Sequence, residues 1–210
     1  MDLIEAINTQ RAIRHFSDRP VSDDALRVIM EAAVRAPNAG NRQRWRFLVL
    51  RDGETKRRMG DWYLRAWTET TERMGAEART QPYRSGGALG RGMDRVPVLV
   101  LACIERGGGP PQSGLDTRGA SIYPAVQNMM LAARALGLGT VMTTLHTRFE
   151  TEVKAFLGIP DDVHTAALVP IGYPSAPDAF GAGSRLPLDA VVFGDRWGSP
   201  AFGPHRPRDC

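Results

Sequence analysis

The sequence predicts an α+β domain built on one central sheet. Three observations carry this. Helix-period segments and strand-length apolar segments follow one another along most of the 210 residues. The run Val96 to Cys103 is almost unbroken in its apolar character, the mark of a strand buried on both faces. No G-x-G-x-x-G or G-x-x-x-x-G-K-[ST] lies between a strand and a helix, which argues against a dinucleotide-binding doubly wound domain and a P-loop nucleotidase.

The elements follow in order. Leu3, Ile4 and Ile7 recur at helical spacing, so 2–10 reads as a short helix, closed by Gln10 to Phe16. Ser22 before Asp23 and Asp24 is a helix start: a capping hydroxyl, then acids where the dipole favours them. That helix runs through Leu26, Ile29, Met30 and Ala33 and stops before Pro37. Residues 45–51 read as a strand, 54–74 as a long helix carrying Trp62, Tyr63 and Trp67. Residues 75–95 are rich in Gly, Arg and Ser and show no clear period, so they are expected to form a mobile excursion. Gly107 to Gly114 is a Gly/Pro loop. A helix from Arg118 to Leu136 is apolar on nearly every side, as a helix buried at a domain centre or a subunit interface would be. A strand over 140–144, a helix over 150–157 and a strand over 166–171 complete the core. From residue 175 the chain is rich in Pro and Gly and reads as an extended arm, with one strand candidate at Ala190 to Phe193. The expected organisation is a core of 1–174, with a lid near 60–95, and an arm of 175–210.

Composition narrows the classes. Hydrophobic residues are 42% and charged residues 24%, ordinary globular usage. No apolar run approaches the roughly 20 residues of a membrane span. The first residues are acidic where a signal peptide would be basic, and Cys103 and Cys210 are too few for a disulfide framework or a zinc cage. A reducing cytoplasm is the expected compartment. The net charge of +4 comes from arginines scattered from Arg11 to Arg208, not from a basic stripe with interleaved aromatics, so nucleic acid is not an expected partner. His15, His146, His164 and His205 are single and far apart, so no metal site is expected. Cys103 sits in the buried strand as a small core residue, and no G-x-S-x-G occurs.

Four segments have chemistry to offer. Arg11 and Arg14 are three apart; on a helix they would share a face, and two guanidiniums there call for an anion between them. Ala36 to Trp45 is a loop rich in Asn and Gly that can present carboxamides and backbone groups to a ligand. Met142, Thr143 and Thr144 end a strand where hydroxyls could meet a planar ring edge, and Arg185 in the arm is a further candidate for an anion. Tyr63 and Trp67 either line a substrate lid or pack in the core.

In this order the segments resemble the nitroreductase family of FMN-dependent oxidoreductases over essentially the whole chain. Arg11-Ala12-Ile13-Arg14-His15-Phe16 matches the family's R-R-S-x-R-x-F-like run, and Ala36 to Trp45 matches A-P-S-x-x-N-x-Q-P-W. Pro170-Ile171-Gly172-Tyr173-Pro174 matches P-x-G-Y-P, and Arg185 to Val191 matches a basic residue before P-L-x-x-V. The resemblance implies a central mixed or antiparallel sheet flanked by helices, in an intertwined homodimer that exchanges C-terminal arms.

It also implies FMN as cofactor, NADH or NADPH as donor and a ping-pong reduction of an electron-poor small molecule: a nitroaromatic, a quinone or an activated alkene. No protein nucleophile is needed, because the flavin carries the chemistry. Arg11 and Arg185 would hold the phosphate. Arg14 would face the pyrimidine edge, and the backbone of Ala12 the ring. Met142, Thr143 and Thr144 would line the ring near N5, and Pro37, Asn38 and Asn41 would serve the partner's flavin. Gln10, Ala12, Asn38 and Arg44 depart from the family's Arg, Ser, Ser and Pro. Reductive dehalogenation, oxygen-dependent flavin breakdown and plain flavin storage are the rival outcomes on the same fold.

Overall fold

The computed structural model describes residues 1–75, 83–106 and 119–203. The Gly107 to Gly114 loop therefore lies outside the described residues. Four strands, β1 (Trp45–Leu50), β2 (Val98–Glu105), β3 (Gly139–Thr140) and β4 (Val163–Gly172), form one sheet in the order β1-β2-β4-β3. Every pairing is antiparallel. The helices are α1 (Leu3–Thr9), α2 (Asp23–Ala33), α3 (Gly53–Met74), α4 (Tyr83–Arg91), α5 (Gly119–Ala135) and α6 (Glu150–Leu157).

The two faces of β2 explain its unbroken apolar run. Val98, Val100, Ala102 and Ile104 point into a core shared with α2 and α5, through Ile29, Ala33, Val126 and Met129. Leu99, Leu101 and Cys103 point into a second core with α3, α4 and α6, through Met59, Trp62, Leu89 and Val153. A strand between two helical layers has no polar face to offer. The start signal at Ser22 holds, and Asp52 adds a second cap that the sequence reading did not name. The Ser22 hydroxyl accepts from Ala25 N at 3.2 Å at the head of α2, and Asp52 accepts from Thr55 N at 2.7 Å at the head of α3.

Four expectations are corrected. Residues 11–16 do not close a helix: α1 ends at Thr9, Gln10 turns to ψ 126, and the chain runs on extended, with Ala12 bridged to Thr140. The strand expected at 140–144 keeps only Gly139–Thr140 in the ladder and one isolated bridge from Thr143 to Leu168. Ala190 to Phe193 is no strand; Leu188–Ala190 is a 3₁₀ turn, and Phe193 bridges only to Pro200.

The fourth concerns the excursion of 75–95, of which 76–82 lie outside the described residues. Residues 83–91 are α4, packed on α3. A Cβ on Gly86 would stand 2.8 Å from Trp67, on Gly87 2.9 Å from Trp67, and on Gly90 2.9 Å from Tyr63. Glycines that signal a loop by composition are here the seam that lets two helices touch around large aromatic rings. The Trp67 indole N–H donates to the Tyr83 carbonyl at 3.1 Å across that seam.

Candidate functional site

The extended segment after α1 is held on two sides. Ile13 N donates to Thr140 O at 2.9 Å, and Ile13 is 1% exposed over Gly139, where any Cβ would fall 2.8 Å from it. On the other side Asp178 Oδ2 accepts from Arg14 N at 2.5 Å and from His15 N at 2.9 Å, and lies 3.2 Å from His15 Nδ1. Side chains alternate along an extended chain. Ile13 therefore enters the core while Arg14 points away from it, half-buried, and Arg11 stays exposed. The shared helical face expected of Arg11 and Arg14 does not exist.

The Arg14 guanidinium has neither a hydrogen bond nor an ion pair among the described residues. It faces Tyr63. Burial pushes the Tyr63 phenol above its ordinary pKa, while the Arg14 charge and a hydrogen bond with the Thr143 side chain pull the other way. Tyr63 is 4% exposed in α3 and belongs to the core. Arg14 and Thr143 thus act on Tyr63 from two other parts of the chain. Next to them Met142 is 43% exposed and Thr144 is exposed. Thr143 itself is fixed to the sheet: its N–H donates to Leu168 O at 3.0 Å, and its carbonyl accepts from Leu168 N at 2.8 Å.

The second segment is a strained, exposed loop. Gly40, Asn41 and Gln43 all have positive φ, at 60°, 51° and 51°. For Gln43 this is a sparsely populated backbone region that surrounding contacts must hold. The Asn38 Oδ1 accepts from Gln43 N at 2.8 Å, and Gln43 Nε2 donates to Asn41 Oδ1 at 3.3 Å. Ala39 N donates to Ser121 Oγ at 3.3 Å, which hangs the loop on the first turn of α5. Pro37, Asn38 and Asn41 share no hydrogen bond with Arg11, Arg14 or residues 142–144 among the described residues. Arg44 turns towards the end of β2, its Nη1 donating to Arg106 O at 3.4 Å.

The arm has two parts. Residues 175–181 are bound to their own core: Ser175 N donates to His15 O at 3.0 Å, Gly181 N to Thr9 O at 3.1 Å, and Arg134 lies 4.0 Å over the Phe180 ring. Arg185 is exposed, and its Nη1 donates to the adjacent Ser184 carbonyl at 2.8 Å. It makes no contact with Arg11 or Arg14 among the described residues. Asp178 is the site residue that the sequence reading missed. An acid just after a proline in an arm gives no periodic signal, and only the folded chain shows which backbone it serves.

Burial and the Glu150 charge push Cys103 up to about 12. Burial pushes His146 down to about 4, against the pull of Glu150. No group of three His, Cys, Asp or Glu among the described residues could hold a metal ion. An unpaired cation beside a neutral phenol and a threonine suits an electron-rich planar ligand that accepts hydrogen bonds.

The Nitroreductase family model matches residues 7–173. A protein of Archaeoglobus fulgidus named as an NADH dehydrogenase/NAD(P)H nitroreductase is 30% identical over 195 residues, covering 90% of this chain and 96% of its own. The 5,6-dimethylbenzimidazole synthase of Rhodospirillum rubrum is 30% identical over 175 residues, 79% of this chain and 78% of its own. A Desulfovibrio desulfuricans nitroreductase solved in complex with FMN superposes with a TM-score of 0.67 at 28% identity, covering 94% of this chain and 98% of that one. The chain belongs to the nitroreductase family.

Proposed function

We propose that the protein is an FMN-dependent oxidoreductase that takes electrons from NADH or NADPH and reduces electron-poor small molecules. The observation that carries this is the half-buried Arg14, whose guanidinium makes no ion pair among the described residues and whose charge acts on Tyr63, in a chain of this family. When bound, FMN supplies the acceptance of a hydride from a nicotinamide and its delivery to a second substrate. Arg14 places positive charge at the flavin's pyrimidine edge, which favours negative charge there. The backbone of Ala12, fixed by its bridge to Thr140, forms one side of the ring site. Met142, Thr143 and Thr144 line the edge where substrates exchange. Arg11 and Arg185 hold the phosphate, and Arg185 reaches it by a movement of the exposed arm.

The site is completed by a second copy of the chain. Leu3, Ile4 and Ile7 on α1 are half-exposed or more, as are Leu186, Leu188 and Val191, and Trp197 is 91% exposed. Obligate interfaces bury more than about 2,000 Å² of such surface. Pro37, Asn38 and Asn41 then serve the partner's flavin, which accounts for a strained, exposed loop whose carboxamides bond only within the loop among the described residues. Donor and acceptor use the one site in turn, and Tyr63 and Trp67 form its wall.

The absorption spectrum of the purified protein tests this. Flavin bands, a released cofactor that is FMN, and steady NADH or NADPH oxidation with an added nitroaromatic or quinone are the expected results. Colourless protein that takes up no FMN would overturn the reading. The likeness to a dimethylbenzimidazole synthase favours one second reading, oxygen-dependent breakdown of the flavin itself, whose ring already contains a dimethylbenzene fused to two nitrogens. Under that reading flavin absorbance falls in stoichiometric amounts under air instead of recycling.

A further inference from the structure

Away from this site, a cleft of about 410 Å³ opens beside the end of β1 and the start of β2. Its lining includes Asp18, Arg51, Lys56 and Arg95 with the apolar walls of Val21 and Val98. Arg11, Ala12, Arg14, Arg185 and the 142–144 turn are not part of it. Three of the four charged residues of its lining are cations.

Lys56 is the telling residue. It is 7% exposed on the first turn of α3, and its Nζ donates to Val96 O at 2.7 Å. An ammonium has three donors, and no other hydrogen bond or ion pair of this one exists among the described residues. Burial lowers its pKa, with Asp94 and Asp52 opposing from beyond ion-pair distance. Buried charges are normally paired, because desolvation is costly without a counter-charge. Arg51 and Arg95 sit at the rim. Their acid partners are exposed: Asp23 at 2.6 Å from Arg51, and Asp94 at 3.9 Å from Arg95. Exposed pairs of that kind are weak and give way to a better anion.

We propose that this cleft is a second ligand site, for a small phosphate monoester with an apolar body. Lys56 at the wall supplies the buried positive charge. The guanidinium forks of Arg51 and Arg95 suit phosphate oxygens. Val21 and Val98 receive the apolar part. The site is separate from the flavin, so the proposal does not depend on the assigned reaction.

The test is calorimetric titration of phenyl phosphate into FMN-saturated protein, with flavin fluorescence followed in parallel. One saturable site per chain is expected, with no release of FMN. Lys56→Met, which keeps the length and apolar stem of the side chain, weakens binding by about tenfold or more, the scale of one charge-assisted hydrogen bond. Arg95→Gln, at an exposed rim position, weakens it severalfold. Absence of saturation, equal affinity in the wild type and in both variants, or displacement of FMN by phenyl phosphate would each overturn the proposal.

Discussion

Asp178 Oδ2 stands 2.5 Å from the backbone nitrogen of Arg14, joining the start of the arm to the segment that carries the candidate flavin cation. The same oxygen accepts from His15 N at 2.9 Å. One carboxylate thus fixes two consecutive peptide groups that the sheet edge holds from the other side through Ile13 and Thr140.

Replacing Asp178 with Ala should loosen that segment. Two hydrogen bonds to an ionised acceptor are lost, each worth about 1.5–3 kcal/mol before relaxation. FMN affinity is expected to fall at least about tenfold while the sheet remains folded, as fluorescence titration and circular dichroism together would show. Unchanged affinity would mean that the backbone of 12–15 is set by β3 alone.

The three arginines should separate by role. Arg11→Ala and Arg185→Ala are expected to weaken FMN retention by about one to two orders of magnitude, as charge-assisted phosphate contacts of about 1.5–3 kcal/mol imply. Arg14→Ala is expected to affect retention less and to lower the flavin midpoint potential, because the reduced, more anionic ring loses its counter-charge. Spectroelectrochemical titration of the three variants distinguishes the two roles.

Gly87→Ala probes the α3–α4 seam. Its Cβ would lie 2.9 Å from Trp67, and overpacking of this kind costs about 1–3 kcal/mol. A drop in Tm of several degrees is expected. A variant as stable as the wild type would show that 83–91 does not rest on Trp67 in solution.

Glu150 offers a pH test. Its Oε1 accepts from Thr165 N at 2.6 Å and from the Thr165 hydroxyl at 3.1 Å. Burial raises its pKa, but the Thr165 hydrogen bonds, His164 and Lys154 together outweigh that and leave it lowered. A carboxyl depressed in the folded state adds stability above its unfolded pKa and loses it as pH falls through the folded one. Glu150→Gln should therefore cost about 1 kcal/mol at pH 7. The gap between variant and wild type should close below the carboxylate range in urea unfolding.

Two truncations divide the arm. Ending the chain after Gly183 keeps Asp178 and the contacts of Phe180 and Gly181; ending it after Pro174 removes them. The first is expected to lose the dimer, the second both the dimer and the ordered 11–16 segment. Light scattering and FMN titration of the two proteins would show whether the arm acts in these two stages.

The sequence by itself determined the layered α+β architecture. A strand such as β2, caught between two helical cores, must be apolar on both faces, and that pattern is local and readable. Ser22 announced a helix start for the same local reason. The tertiary structure alone decided where composition and packing disagree. Gly86, Gly87 and Gly90 look like a loop until Trp67 and Tyr63 fill the space their missing side chains leave. Arg11 and Arg14 look helical until the edge at Thr140 draws the backbone extended, which separates them. Asp178 carries no signal in its own neighbourhood, because its partners lie 163 and 164 residues away. Periodicity records what a segment buries, whereas a site is made where distant segments meet, and that meeting is a property of the folded chain.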